Sequence, residues 1–107
     1  MYRVIVTAHA KENLSLLRKH GKGTLMQIRQ VLGDLASDPY GMTQPLSAPL
    51  NGLRSLHMGR FRAIIKIVDR DVLVYVVAVG WHTSGSRQDI YQEVHRALKL
   101  GLIEGKS

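Results

Sequence analysis

Phe61-Arg62-Ala63-Ile64-Ile65-Lys66-Ile67-Val68, then Asp69-Arg70-Asp71, then Val72-Leu73-Val74-Tyr75-Val76-Val77-Ala78-Val79-Gly80-Trp81 is the stretch whose reading decides the fold. Two runs rich in β-branched residues flank a polar connection too short for a crossover, so the strands must be antiparallel. In the first run Arg62, Ile64 and Lys66 share one face, while Phe61, Ala63, Ile65 and Ile67 take the other. This predicts one core face and one mixed basic face. In the second run both alternating sets are apolar (Val72, Val74, Val76 and Ala78 against Leu73, Tyr75, Val77 and Val79). Such a strand belongs at the centre of a sheet, covered by helix on one side and partly by tail or partner on the other.

Working outward, Leu53 to Met58 reads as a short strand, and Gly59 marks a turn or bulge before Phe61. Pro39, Pro45 and Pro49 all fall between Asp38 and Gly52, together with Gly41, which predicts a loop. Its length implies that it crosses the molecule or has a function. Tyr2 to Thr7 is a strand by its β-branched run. Leu14 and Leu17 set a helical period over Ala8 to His20, broken by Gly21 and Gly23. Leu25, Ile28, Leu32 and Leu35 then set a second helix from Thr24 to Ala36, so the two form a helical hairpin. Beyond Trp81, His82 to Gly85 is a polar loop, and Ser86 with Asp89 has capping-box spacing. A last helix follows to about Leu100, with Gly101 as its C′ residue.

A chain of 107 residues is one domain's worth, so residues 1–107 are read as a single domain. A hydrophobic fraction of 45% excludes wholesale disorder. Cysteine is absent, which removes disulfides, Cys-based zinc sites and thiol nucleophiles. The net charge of +7 favours a polyanionic partner: nucleic acid, an anionic membrane surface or an acidic protein. The apolar run Val72 to Val79 is far too short to span a bilayer, and the N-terminus lacks the pattern of a signal peptide. A soluble cytoplasmic protein is expected, with no membrane partner.

The charge is uneven. Arg54, Arg60, Arg62, Lys66, Arg70 and Arg87 face only Asp69 and Asp71 between Asn51 and Arg87, so most of the excess belongs to the meander and its exit loop. Arginine's planar fork suits phosphate oxygens, which makes this cluster a candidate anion-binding surface with Arg54, Arg60, Lys66 and Arg87 among its contacts. Arg87 is equally an ordinary first-turn helix residue. Trp81, the sole tryptophan, either stacks on a base or caps the core at a strand end.

His57, His82 and Tyr91 lie at strand or helix ends in and just beyond this basic segment. Histidine transfers protons near neutral pH, and tyrosine does so when cations depress its pKa. Phosphodiester cleavage by transesterification needs a base for the 2′-hydroxyl, positive charge for the developing phosphorane and an acid for the leaving oxygen. Arg62, His57, His82 and Tyr91 supply these roles. Acidic clusters and paired histidines at ligand spacing are missing, so neither metal nor other cofactor is expected. His9, His20 and His95 read as surface residues on helices.

The order Leu50-Asn51-Gly52-Leu53, Gly59-Arg60-Phe61-Arg62, Val72 through Gly80 and Asp89-Ile90-Tyr91 resembles the RelE/ParE superfamily of type II toxin–antitoxin toxins, over nearly the whole chain. The resemblance implies an α+β fold, with an N-terminal strand and helical hairpin packed on a mostly antiparallel four-stranded sheet, and a C-terminal helix. In its RelE branch it implies a metal-independent endoribonuclease that cleaves mRNA in the ribosomal A site and is neutralised by a cognate acidic antitoxin. Arg62 then matches the arginine at the scissile phosphate, and Tyr91 the tyrosine of base stacking or proton transfer. The chain departs from that pattern at Arg54-Ser55-Leu56-His57-Met58, where alternating basic residues are usual. It departs again at Trp81-His82, where a basic doublet is common, and in a longer Thr83 to Gln88 segment. Hence the expectation that His82 and His57 carry the proton transfer. The alternatives are a ParE-like inhibitor of DNA gyrase without nuclease activity, and a non-toxic antitoxin-binding relative.

Overall fold

In the computed structural model, which describes residues 1–81 and 89–99, the N-terminal β-branched run forms β1 (Arg3–Val6). Thr7 is extended and turns the chain into α1 (Ala8–Leu16). Its hydroxyl accepts from the Ala10 N–H (3.2 Å) and donates to the Val76 carbonyl (2.9 Å), so one side chain starts the helix and fastens it to a strand. The expected helix through His20 is present in two windings, because Leu17–His20 tightens into a 3₁₀ turn. α2 (Lys22–Asp34) starts two residues earlier than its periodicity predicts and takes in Gly23.

The proline-rich segment is not all loop. It contains α3 (Pro39–Met42), capped by the Asp38 carboxylate on the Gly41 N–H (3.0 Å), and β2 (Thr43–Pro45). A three-residue strand carries no period to read. Pro45 is tolerated because the strand lies at an edge, where a missing N–H need not break a ladder. The sheet therefore has five strands where four were expected, in the order β1-β5-β4-β3-β2. β1 runs parallel to β5, and the other neighbours are antiparallel.

β3 (Arg54–Met58) and β4 (Phe61–Val68) are joined by Gly59-Arg60, with Gly59 at φ +64°, a conformation open to glycine at little cost. β5 (Leu73–Trp81) starts one residue later than expected. Val72 is in the left-handed region (φ +53°) and closes the Asp69–Asp71 3₁₀ turn. Ile64 pairs with Ala78 but Ile65 pairs with Val76, so Val77 is an extra residue in β5. This bulge corrects the expected strict alternation. Val74, Val76 and Val79 pack in the cluster under the helical hairpin, whereas Val77 and Ala78 both pack in the cluster on the other face.

The hairpin covers one face of the sheet through Leu14, Leu17, Ile28, Leu32 and Leu35. α4 (Ile90–Lys99) covers the other, where Ile90 and Val94 pack with Leu50, Leu53, Ile64, Val77 and Ala78. β5 is thus apolar on both sides because both sides are buried. The expected mixed basic face of β4 is core at its middle: Ile64, between Arg62 and Lys66, is fully buried and packs with Ile90 and Val94 of α4. Gly80 permits this docking, since a Cβ there would stand 2.9 Å from Ile90 Cδ1. Asp89 caps α4: its carboxylate accepts from the Tyr91 N–H (3.0 Å) and it lies just before the helix. The expected loop His82 to Gly85, Ser86, Arg87, Leu100 and Gly101 lie outside the described residues. No described helix is long and apolar enough to cross a membrane.

Candidate active site

Strand register and the docking of α4 bring several of the candidate residues onto one face. β3 pairs with β4 so that His57 stands opposite Arg62 and Ser55 opposite Ile64. Directly paired residues have Cα atoms about 5 Å apart, so the exposed His57 and the half-buried Arg62 leave the sheet from neighbouring positions on one face. Two residues along β3, roughly 7 Å away, Ser55 meets α4. Its Oγ lies 2.7 Å from the Tyr91 hydroxyl, with the serine itself only 2% exposed. Asp89 fixes the start of the helix, and Tyr91 is its second residue, so cap and serine together aim the phenol along the face shared with His57 and Arg62.

Arg62 is half-buried and folded back on the β3–β4 turn. Nη1 donates to the Gly59 carbonyl (2.5 Å) and the Phe61 carbonyl (2.9 Å). Nε is buried and finds no acceptor among the described residues. A cation missing one hydrogen bond at rest loses less by swinging outward to an anionic oxygen.

The other basic candidates are elsewhere. Lys66 shares the face of Arg62, but four residues of strand, roughly 13 Å, and the buried Ile64 separate the two. Arg54 points to the opposite side and holds the edge of the sheet together. Nε donates to Thr43 Oγ1 (2.7 Å), Nη2 donates to the Thr43 carbonyl (3.0 Å), and the guanidinium lies 5.0 Å from the Tyr40 ring centre. Trp81 pairs with Phe61 on the hairpin side, where Arg60 stands 5.2 Å from the indole. His82 and Arg87 lie outside the described residues.

Sequence reasoning missed two participants. Ser55 gave no signal, because its partner is distant in the chain and the contact exists only once α4 docks. His20, expected at the surface, is half-buried. Its Nε2 accepts from Trp81 Nε1 (3.2 Å), and its ring packs edge-on against Trp81 and Phe61. His9 and His95 are also half-buried. Among the described residues no group of three His, Asp or Glu is placed to hold a metal ion.

A separate polar cluster closes the β4–β5 end. The Asp69 carboxylate accepts from the Tyr40 hydroxyl (2.5 Å) and the Tyr2 hydroxyl (2.8 Å), joining α3 and the N-terminus to the turn. These two bonds, that of Tyr40 foremost, hold the Asp69 carboxyl below its ordinary range. They also raise both phenols above theirs, because ionising either one forfeits its bond to the carboxylate.

No family model matches the chain, and no curated protein does. Solved structures do. The toxin–antitoxin complex RelBE2 from Mycobacterium tuberculosis is similar with a TM-score of 0.68 and 27% identity, over 76% of this chain and 91% of that one. The isolated Escherichia coli RelE toxin gives 0.61 and 19%, over 92% and 99%. A YoeB/ParE toxin from Agrobacterium tumefaciens gives 0.63 and 13%, over 76% and 99%. The chain thus has the fold of the RelE and YoeB/ParE toxins.

Proposed function

We propose that the chain is the toxin of a type II toxin–antitoxin module, a metal-independent endonuclease that cuts mRNA on the ribosome, is held inactive by an acidic antitoxin and acts in the cytoplasm. The observation that carries this reading is the juxtaposition of His57, Arg62 and the Ser55-held Tyr91 on one face. In the proposed step a 2′-oxygen of RNA attacks the adjacent phosphorus while a base takes its proton. The P–O5′ bond breaks and the departing 5′-oxygen receives a proton from an acid, leaving a 2′,3′-cyclic phosphate. Arg62 swings from its carbonyl partners to the phosphorane oxygens, where charge accumulates. His57 and Tyr91, with His82, divide the two proton transfers. Lys66, further along β4 on the same face, and Arg60, at the β3–β4 turn on the hairpin side, remain candidate contacts for flanking phosphates. Arg87 and Trp81 remain candidate RNA contacts, and the guanidinium of Arg54 serves the fold first.

A second reading, inhibition of DNA gyrase without cleavage, draws on the folded-back Arg62, whose Nη1 is already bonded to two carbonyls. Induction in a bacterium separates the two. Codon-phased mRNA ends support the nuclease, and loss of plasmid supercoiling with intact mRNA supports gyrase inhibition. No growth effect means a non-toxic antitoxin-binding relative. His57→Ala, His82→Ala and Arg62→Ala should abolish the cuts while antitoxin binding persists. Undiminished cutting in all three would overturn the assignment.

A further inference from the structure

Beside the proposed centre, a groove of about 330 Å³ runs between α4 and the segment leading into β3. Leu46, Pro49 and Leu50 form an apolar wall, and Tyr91, Gln92 and His95 of α4 form the other. Tyr91 therefore belongs to both places: its hydroxyl reaches Ser55 on the side of His57 and Arg62, while the same residue lines the groove. Tyr91 and His95 are one helical turn apart, and Gln92 is three residues from His95, so all three project towards the same side.

Resting on the nuclease reading, we propose that this groove is a nucleobase subsite for unpaired RNA next to the scissile phosphate, with Gln92 and His95 as its specificity-determining residues. Single-stranded RNA is read where a base leaves its stack, lies against an apolar or aromatic surface and meets hydrogen-bonding groups at its edge. The groove provides both parts. Its volume, at the small end for ligand sites, suits one base and not a peptide segment. A carboxamide offers an adjacent donor and acceptor, which match the amino group and ring nitrogen of adenine or cytosine, and an imidazole can supply either partner. The apolar wall and the Tyr91 ring favour the larger purine surface, so adenine is the favoured occupant. A strand whose phosphate lies at Arg62 and whose sugar passes Tyr91 delivers its flanking base into the groove without turning back.

The test measures binding of short oligoribonucleotides carrying a 2′-deoxy substitution at the reacting sugar, which prevents cleavage. Each of the four bases is placed in turn at the two positions flanking the scissile phosphate. The intact chain should prefer adenine at one position by about tenfold, the value of roughly one hydrogen bond. Gln92→Ala and His95→Ala should each lower affinity for the adenine oligonucleotide towards that of the others, flattening the preference. Arg62→Ala should weaken all of them together. Preference that survives in both α4 variants overturns the subsite but spares the nuclease reading, as does RNA binding without base preference. Failure of the intact chain to bind any RNA overturns the subsite, while the nuclease reading stands or falls on the mRNA ends seen on induction. His95 ring resonances that shift on dilution of the free protein would mean that a second copy fills the groove, which also overturns the subsite.

Discussion

Replacing Tyr91 by Phe removes one oxygen, and the structure predicts that its effect on stability depends on what is left behind. Ser55 is 2% exposed and its Oγ lies 2.7 Å from the Tyr91 hydroxyl. Without that hydroxyl the buried serine is stranded, at a cost of about 1–3 kcal/mol. Replacing Ser55 by Ala instead leaves the half-buried tyrosine hydroxyl able to reach solvent, so about 1 kcal/mol or less is expected. In the double variant no polar atom of the pair remains, and the loss should fall near that of Ser55→Ala alone. The double-mutant cycle then gives a coupling as large as the Tyr91→Phe loss itself, about 1–3 kcal/mol. Urea unfolding measures it: with a slope of a few kcal/mol per molar, Tyr91→Phe should move the midpoint by roughly 1 M. Single-variant losses that add to the double-variant loss within about 0.3 kcal/mol would refute the pairing and remove the reason for placing Tyr91 beside His57. The stability loss must also be separated from any loss of cleavage before Tyr91 is assigned a chemical role.

Other positions give independent checks. Asn13 is 8% exposed and its Oδ1 accepts from the Val79 N–H (3.0 Å), on an edge of β5 that β1 no longer reaches. Asn13→Leu should cost about 1–3 kcal/mol, and amide exchange should show Val79 losing protection. Gly80→Val should destabilise by about 1–3 kcal/mol by forcing Ile90 and the start of α4 off the sheet. Gly80→Ala should do less, since the atom met first is the movable Ile90 Cδ1; thermal melts rank the two. Asp69 has a lowered folded pKa, so the stability it contributes is present above its unfolded pKa and is lost as pH falls through the folded one. The advantage of the wild type over Asp69→Asn should therefore vanish at acid pH. It should also vanish above pH ~10, as the raised phenols of Tyr40 and Tyr2 ionise. An advantage unchanged across acid pH would contradict the Tyr40–Asp69–Tyr2 assignment.

The amino-acid order alone determined the long strands, the helical hairpin and the antiparallel pairing of β4 with β5, because each rests on local periodicity or on a connection too short for any other path. It also determined that β5 is central, since a strand apolar on both faces needs cover on both. Tertiary structure decided the rest. The bulge at Val77 changes which of Ala78 and Val79 meets the hairpin, and no two-residue period encodes a one-residue slip. β2 is a strand only because β3 supplies its hydrogen bonds. Arg54, Arg60, Arg62 and Lys66 look alike in the sequence, yet burial and register send Arg54 to the sheet edge, Arg60 against Trp81 and Lys66 beyond Ile64. Only Arg62 of these faces His57 across the ladder, because which side chains meet across a sheet is a property of strand register and helix docking, not of residue type.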